Sequence, residues 1–186
     1  EFEGWAEDGG SKYVQQLVVR LPKAGAGRTI SDAMLRDYDT QIVGHWKHIT
    51  RKRNLLGPTL YPTYFQYLAL LLSEMYLDRY FSDRNELLAS VNQFRQSGLD
   101  EPITVQFGKG GKPKKAKAGP EVEPFVTDDL NKLAFWMATG SGKTLLMHCH
   151  IRQYLHYLGK AGQRHELNRI ILLTPNEGLS RQHRDE

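Results

Sequence analysis

The chain has 186 residues, 40% of them hydrophobic and 25% charged, with a formal net charge of +4. These values fit one globular domain, or one domain with an appendage, and exclude disorder throughout. The charge is uneven, since the first ten residues, EFEGWAEDGG, hold four acids and no base, so affinity for an anionic partner has to be argued locally. A single cysteine, Cys149, excludes an internal disulfide and fits a reducing compartment such as the cytoplasm. The most apolar run, Tyr64 to Leu72, falls far short of the roughly 20 apolar residues that a membrane span requires. No secretory leader opens the chain, and the missing initiating Met is expected of a fragment or processed product.

In chain order, YVQQLVVRL (Tyr13 to Leu21) places Tyr13, Leu17, Val19 and Leu21 on one side and predicts a strand ending at Pro22. After the connector KAGAGRT (23 to 29), Leu35, Tyr38, Ile42, Trp46 and Ile49 recur at helical spacing, predicting a helix that starts after Ser31. GPTLYP (57 to 62) breaks the chain. A long helix follows with Phe65, Leu68, Leu72, Met75 and Tyr76 as its apolar face. A further helix is expected after Asp83, with Glu86 three residues on as in a capping box, Leu87, Leu88, Val91 and Phe94 inward, and Gly98 as terminator. GKGGKPKKAKAGP (108 to 120) has five lysines, no acid and no large apolar residue, too little apolar surface to offset its ordering entropy, so a flexible loop is expected.

From Leu133 the pattern becomes an apolar run (LAFWM), a small-residue loop (ATGSG), Lys143 and Thr144, a helix expected to stop at Gly159, then a second apolar run, RIILL, at 169 to 173. This is the strand, loop, helix, strand order of an α/β unit with parallel strands. Each residue type in the loop suits a phosphate. Gly140 and Gly142 let successive N–H groups face one anion, the following helix adds its positive dipole end, Ser141 is small, Lys143 supplies the charge for the outer phosphates, and the Thr144 hydroxyl suits a bridging Mg²⁺. Met137 stands where the general GxxxxGK[ST] pattern has its first glycine, which is tolerable if the preceding strand runs one residue longer.

MATGSGKT, with Met in that place, resembles motif I of superfamily 2 DEAD/DEAH-type helicases and translocases, above all the branch holding the motor subunits of type I and type III restriction enzymes. TPNEGLSRQH (174 to 183) is similar to motif Ia of that superfamily, and YPTYFQYLALLLSEMYLDRYF resembles the helical region ahead of motif I. The resemblance implies an α/β fold, the start of a parallel-sheet, RecA-like ATP-binding motor domain behind a mostly helical accessory region. It implies a layout of 1–106 accessory region, 107–120 flexible loop and 121–186 ATP-binding domain with motifs I and Ia. ATP and Mg²⁺ would be held by Thr139, Gly140, Ser141, Gly142, Lys143 and Thr144, with Lys143 and Thr144 catalytic. A nucleic-acid backbone would be gripped by Thr174, Pro175, Asn176, Ser180, Arg181 and Gln182 through hydrogen bonds and charge that read no sequence. DNA is the expected partner, with a modification or nuclease subunit beside it. The acidic motif II and second-domain arginines needed for hydrolysis are missing from these residues, since Asp185 and Glu186 follow SRQHR rather than an apolar strand.

Two other classes fit parts of the pattern. A nucleic-acid- or partner-binding module could retain a motor remnant, and a phosphotransferase could use the same loop, although little chain remains for its acceptor lid. Connector 23–29 has Arg28 where lysine is needed and reads as a plain turn. His148, Cys149 and His150 point in different directions on a helix and read as packing rather than a metal site. The lysine-rich stretch could neutralise phosphates, but reads better as a solvated insertion.

Overall fold

A computed structural model describes residues 3–21, 30–99, 123–173, 177–178 and 180–181. It divides into two compact units, Glu1–Phe81 with Phe135–Glu186, and Ser82–Ala134. The connector at 23–29 and the lysine-rich stretch at 107–120 lie outside the described residues.

The first unit is built on helices α1 (Lys12–Arg20), α2 (Asp32–Leu56), α3 (Tyr64–Ser82, ending at the unit boundary) and α5 (Lys143–Lys160). Helix α2 begins where the sequence places it, with Ser31 Oγ accepting from Met34 N at 3.2 Å. Its stripe Leu35, Tyr38, Ile42 and Trp46 is buried, with Ile49 packed at the edge, and each such side chain taken from water is worth about 1.5–3 kcal/mol. Helices α1 and α5 both pack against α2, and Leu146 and Cys149 of α5 enter the same core. The GPTLYP break is fastened by its backbone. Leu60 N donates to Asn54 Oδ1, Trp46 Nε1 donates to Leu60 O, and the Tyr13 hydroxyl donates to Pro62 O, each at 2.9 Å.

At the centre of this unit lies a buried carboxylate. Asp39 accepts from Ser11 N at 2.9 Å, from Ser11 Oγ, and from the Tyr67 hydroxyl at 2.6 Å. It therefore ties the start of α1 to α2 and α3. Burial, then the Asp39 charge, raises the Tyr67 phenol well above its ordinary range.

In the second unit, α4 (Arg84–Leu99) starts as expected, with Asp83 Oδ1 accepting from Asn85 N at 3.0 Å and Glu86 N at 2.9 Å. It packs on a 3-10 turn, Thr127–Asn131. Asn92 pairs with both backbone groups of Phe125, accepting from its N at 2.8 Å and donating to its O at 3.0 Å. Leu87 and Leu130 are buried, whereas Phe94, expected inward, is exposed.

The expected α/β architecture with the start of a parallel sheet is not what forms. Among the described residues there is no β-strand, only one isolated antiparallel bridge between Trp5 and Ser11. Residues 13–21 are helical because Tyr13, Leu17 and Leu21 satisfy a four-residue spacing as well as alternation, and Ser11 caps the helix by accepting from Val14 N at 3.1 Å. Val14 is buried and Val19 exposed, the reverse of the strand pattern. Residues 133–137 and 169–173 form neither a helix nor a paired strand among the described residues. Trp136 is 90% exposed and Leu173 89%, so apolar composition alone did not make them buried strands; a ladder partner is also required.

Candidate phosphate-loop site

Helix α5 begins at Lys143, directly after Gly142, which caps it in the left-handed region at φ +79°. Gly140 is also left-handed, at φ +80°, and Ser141 N closes the intervening turn on Ala138 O at 3.3 Å. These two glycines have the freedom that the turn requires. Among the described residues, no acceptor faces the N–H groups of Gly140, Gly142 or Lys143, so the loop and helix start present a set of donors together with the positive helix end. Lys143 is exposed, and its Nζ donates to Met137 O at 3.3 Å and Ala138 O at 2.9 Å. Met137, where the general pattern has glycine, contributes its carbonyl here and packs its side chain against the core.

The loop is fastened on one side and open on the other. Gln66 Nε2 of α3 donates to Ser141 O at 2.7 Å, while Gln66 Oε1 accepts from Thr63 N at 2.9 Å. A Cβ on Gly142 would come within 2.5 Å of Gln66 Nε2, whereas one on Gly140 would meet nothing within 4 Å. Ser141 Oγ is buried without a hydrogen-bond partner. The loop amides and the Lys143 ammonium on the open side, with the buried Ser141 hydroxyl behind them, are a donor set suited to a triphosphate with Mg²⁺. Gln66 was not singled out from the sequence, where it reads as one polar residue on an apolar helix.

The two glycines should therefore differ on substitution. Gly142→Ala and Gly140→Ala each force an L-residue into the left-handed region at roughly 1–2 kcal/mol, and only Gly142→Ala also displaces Gln66. Thermal denaturation and nucleotide titration should show the larger loss for Gly142→Ala, with Gln66→Ala non-additive beside it. Equal losses and full additivity would show that Gln66 does not hold the loop.

The other site residues expected from the sequence are only partly described. Thr174, Pro175, Asn176 and Gln182 lie outside the described residues, while 177, 178, 180 and 181 are helical. Arg181 Nη2 pairs with Glu177 Oε1 at 2.9 Å on an exposed surface, a link worth at most about 1 kcal/mol and easily exchanged for a phosphate. Ser180 is engaged in a contact within the protein. Among the described residues, no group of His, Cys, Asp and Glu could hold a metal ion. Cys149 is core, its thiol pushed up to about 12 by burial, and the His150 ring stacks on Phe135 at 4.3 Å.

Behind the loop lie two buried groups with opposed titrations. Burial pushes Glu74 on α3 up to about 7, outweighing the opposing effects of Tyr157 and Gln153. Burial, with the charges of Arg152, His156 and His48, pushes His45 down to about 4. Glu74 holds its proton more tightly folded than unfolded, so its contribution of roughly 3 kcal/mol is present at acid pH and is lost as pH rises from 4.5 through 7. His45 works the other way, as do His150 and His156, both lowered mainly by burial. Their penalty fades as pH rises towards 6.5. Calorimetric midpoints between pH 4.5 and 7 should rise more steeply in Glu74→Gln than in the parent chain, and less steeply in His45→Leu. Identical slopes in all three proteins would refute this assignment.

A family model described as type III restriction enzyme, res subunit, matches residues 85–186. The match covers more than half of the chain, and the chain belongs to that family, one of helicase-like, ATP-dependent motors. Comparison with curated proteins and with solved structures gives no match. Among the described residues, no helix is long and apolar enough to cross a membrane.

Proposed function

We propose that this chain is the N-terminal part of an ATP-dependent DNA helicase or translocase of restriction-enzyme type, and that Thr139, Gly140, Ser141, Gly142, Lys143 and Thr144 hold ATP with Mg²⁺. The observation that carries the reading is the left-handed glycine pair at the start of α5, with Lys143 beside it. Amides of the loop would orient the phosphates, Lys143 Nζ would exchange its two carbonyls for phosphate oxygens, and the Thr144 hydroxyl would hold the metal, which would supply charge neutralisation at the outer phosphates.

In this reading Thr174, Pro175, Asn176, Ser180, Arg181 and Gln182 grip the DNA backbone, and Arg181 releases Glu177 to do so. The layout is an accessory region at 1–106, a connecting loop at 107–120 and an ATP-binding segment at 121–186, working in the cytoplasm with a modification or nuclease subunit. Motif II is absent from these 186 residues, so the chain alone binds nucleotide weakly or not at all and does not hydrolyse it.

The test is nucleotide turnover by the full-length natural protein, with and without DNA. Mg²⁺-dependent ATP hydrolysis stimulated by DNA supports the motor. Salt-sensitive DNA binding without turnover would favour a binding module, and phosphate transfer to a small acceptor would favour a phosphotransferase.

A further inference from the structure

Helix α3 turns one stripe towards α5. Gln66, Leu70, Glu74 and Asp78 recur every four residues and so lie one above another on the helix. Their partners follow in the same order. Gln66 Nε2 donates to Ser141 O at 2.7 Å, Gln153 Nε2 donates to Leu70 O at 2.9 Å and Glu74 Oε1 at 2.8 Å, and Lys160 Nζ meets Asp78 Oδ1 at 2.9 Å. The two helices therefore run parallel, linked by a polar ladder with the phosphate loop at one end.

Gln153 is the central rung and is completely buried. Its Oε1 meets His150 Nδ1 at 2.8 Å, and the His150 ring stacks on Phe135, two residues ahead of Met137. The segment ahead of the phosphate loop is thereby linked to this central rung, and the loop itself to the first rung, Gln66. Glu74, also completely buried, leaves Oε2 without a hydrogen-bond partner.

We propose that this ladder seats the phosphate loop, with Gln153 and Glu74 as positioning residues, and that protonation of Glu74 controls how firmly the loop is seated. The proposal rests on reading the loop as a nucleotide site. Protonated, Glu74 lies in the interior at little cost and still accepts from Gln153. Ionised, it is a buried charge that Tyr157 and Gln153 only partly offset, with Oε2 unsatisfied, and hydration is its relief.

A cleft of about 450 Å³, lined by Tyr38, Asp78, His156, Tyr157 and Lys160 among others, shares Asp78, Tyr157 and Lys160 with the surroundings of Glu74. Water drawn in from there separates α5 from α3. Because α5 moves as a rod, Ser141, 12 residues before Gln153, loosens from Gln66 at the end of a lever of roughly 18 Å. The groups facing Glu74 are Asp78 on its own helix, and Gln153, Tyr157 and Lys160 on α5. From α2, Tyr38 donates to Asp78 Oδ2 at 2.9 Å. Asp78 reinforces the proton on Glu74 and Lys160 opposes it, while burial is the largest influence and places the carboxyl near 7.

The test compares the full-length natural protein, as parent, with its Glu74→Gln and Gln153→Met variants between pH 6 and 8, by hydrogen exchange of amides 139–146 corrected for intrinsic rates and by titration with a fluorescent Mg²⁺–ATP analogue. In the parent chain, protection should fall as pH rises through 7, and analogue affinity should weaken about fivefold, an ordinary coupling between two sites. Glu74→Gln keeps the shape and the Gln153 bond and should lose both pH responses, whereas Gln153→Met should be loose at every pH. Circular dichroism confirms that each variant is folded, and Glu74→Gln alone decides the question should Gln153→Met unfold. Exchange that follows pH equally in the parent and in Glu74→Gln overturns the proposal, even where the analogue binds. Exchange that responds as expected while the analogue fails to bind supports the ladder and refutes the nucleotide reading instead.

Discussion

Lys143→Ala should lower ATP turnover by the full-length natural protein by about 10²-fold or more, the size of effect seen when one preorganised donor to developing charge is removed, and should leave its thermal midpoint nearly unchanged. The two halves of this expectation have separate causes. Lys143 is exposed, and among the described residues it donates to Met137 O and Ala138 O, carbonyls that water can serve equally well, so folding loses little. Nucleotide binding loses the ammonium closest to the loop's open side, where charge-assisted hydrogen bonds are each worth roughly 1.5–3 kcal/mol.

Lys143→Arg separates charge from shape. It keeps the positive charge, but its planar fork and greater bulk do not match a compact ammonium on a flexible stem, so turnover should stay low. A Lys143→Ala protein that binds the Mg²⁺–ATP analogue as tightly as its parent would remove the loop from consideration as a triphosphate seat.

How much of this was legible in the sequence depended on whether local spacing had one solution. Helix α2 was legible down to its cap, because Leu35, Tyr38, Ile42 and Trp46 fit only a helical repeat and Ser31 stands at the correct offset. The start of α5 at Lys143 was legible for a similar reason, two glycines and a lysine ahead of a long helical run. Helix α1 was not, since Tyr13, Leu17 and Leu21 satisfy two periods at once, and the Ser11 cap that decides between them was overlooked.

In α3 the element was legible and its orientation was not. The helix is apolar nearly all round, and the predicted face included Phe65 and Leu72, which are exposed. The face that is buried includes Gln66, Ser73 and Glu74, of which Gln66 and Glu74 find partners in the loop and on α5, and no count of apolar residues reveals that. For the same reason Gln66, the residue fastening the phosphate loop, was invisible until the chain was folded. The apolar runs at 133–137 and 169–173 show the converse: composition suits a strand, but a strand is a relation between segments, and none is formed by the described residues.

The largest expected loss of stability is for Asp39→Ala, roughly 3 kcal/mol or more, because the substitution strands several buried donors at about 1–3 kcal/mol each. Ser11 N, Ser11 Oγ and the Tyr67 hydroxyl all converge on this one carboxylate, and Asp39 and Ser11 are almost completely buried, so water cannot replace the lost acceptor without opening the core. Ser11 Oγ is also the cap of α1, which means that its reorientation in search of another acceptor would fray that helix as well.

Asp39→Asn tests charge against hydrogen bonding. Its one amide oxygen retains part of the acceptor capacity, but its NH₂ faces donors, so the loss should be intermediate. Tyr67→Phe removes one donor together with its demand and should be milder still. Chemical denaturation of the four proteins should rank them parent, Tyr67→Phe, Asp39→Asn, Asp39→Ala in falling stability. An Asp39→Ala chain as stable as its parent would mean that α1 is not tied to α2 and α3 through this acid. Helices α1, α2 and α3 share one apolar core with α5, Tyr13 and Val14 meeting the cluster that holds Leu146 and Cys149. A defect at Asp39 should therefore also weaken nucleotide binding at a loop whose residues it does not touch.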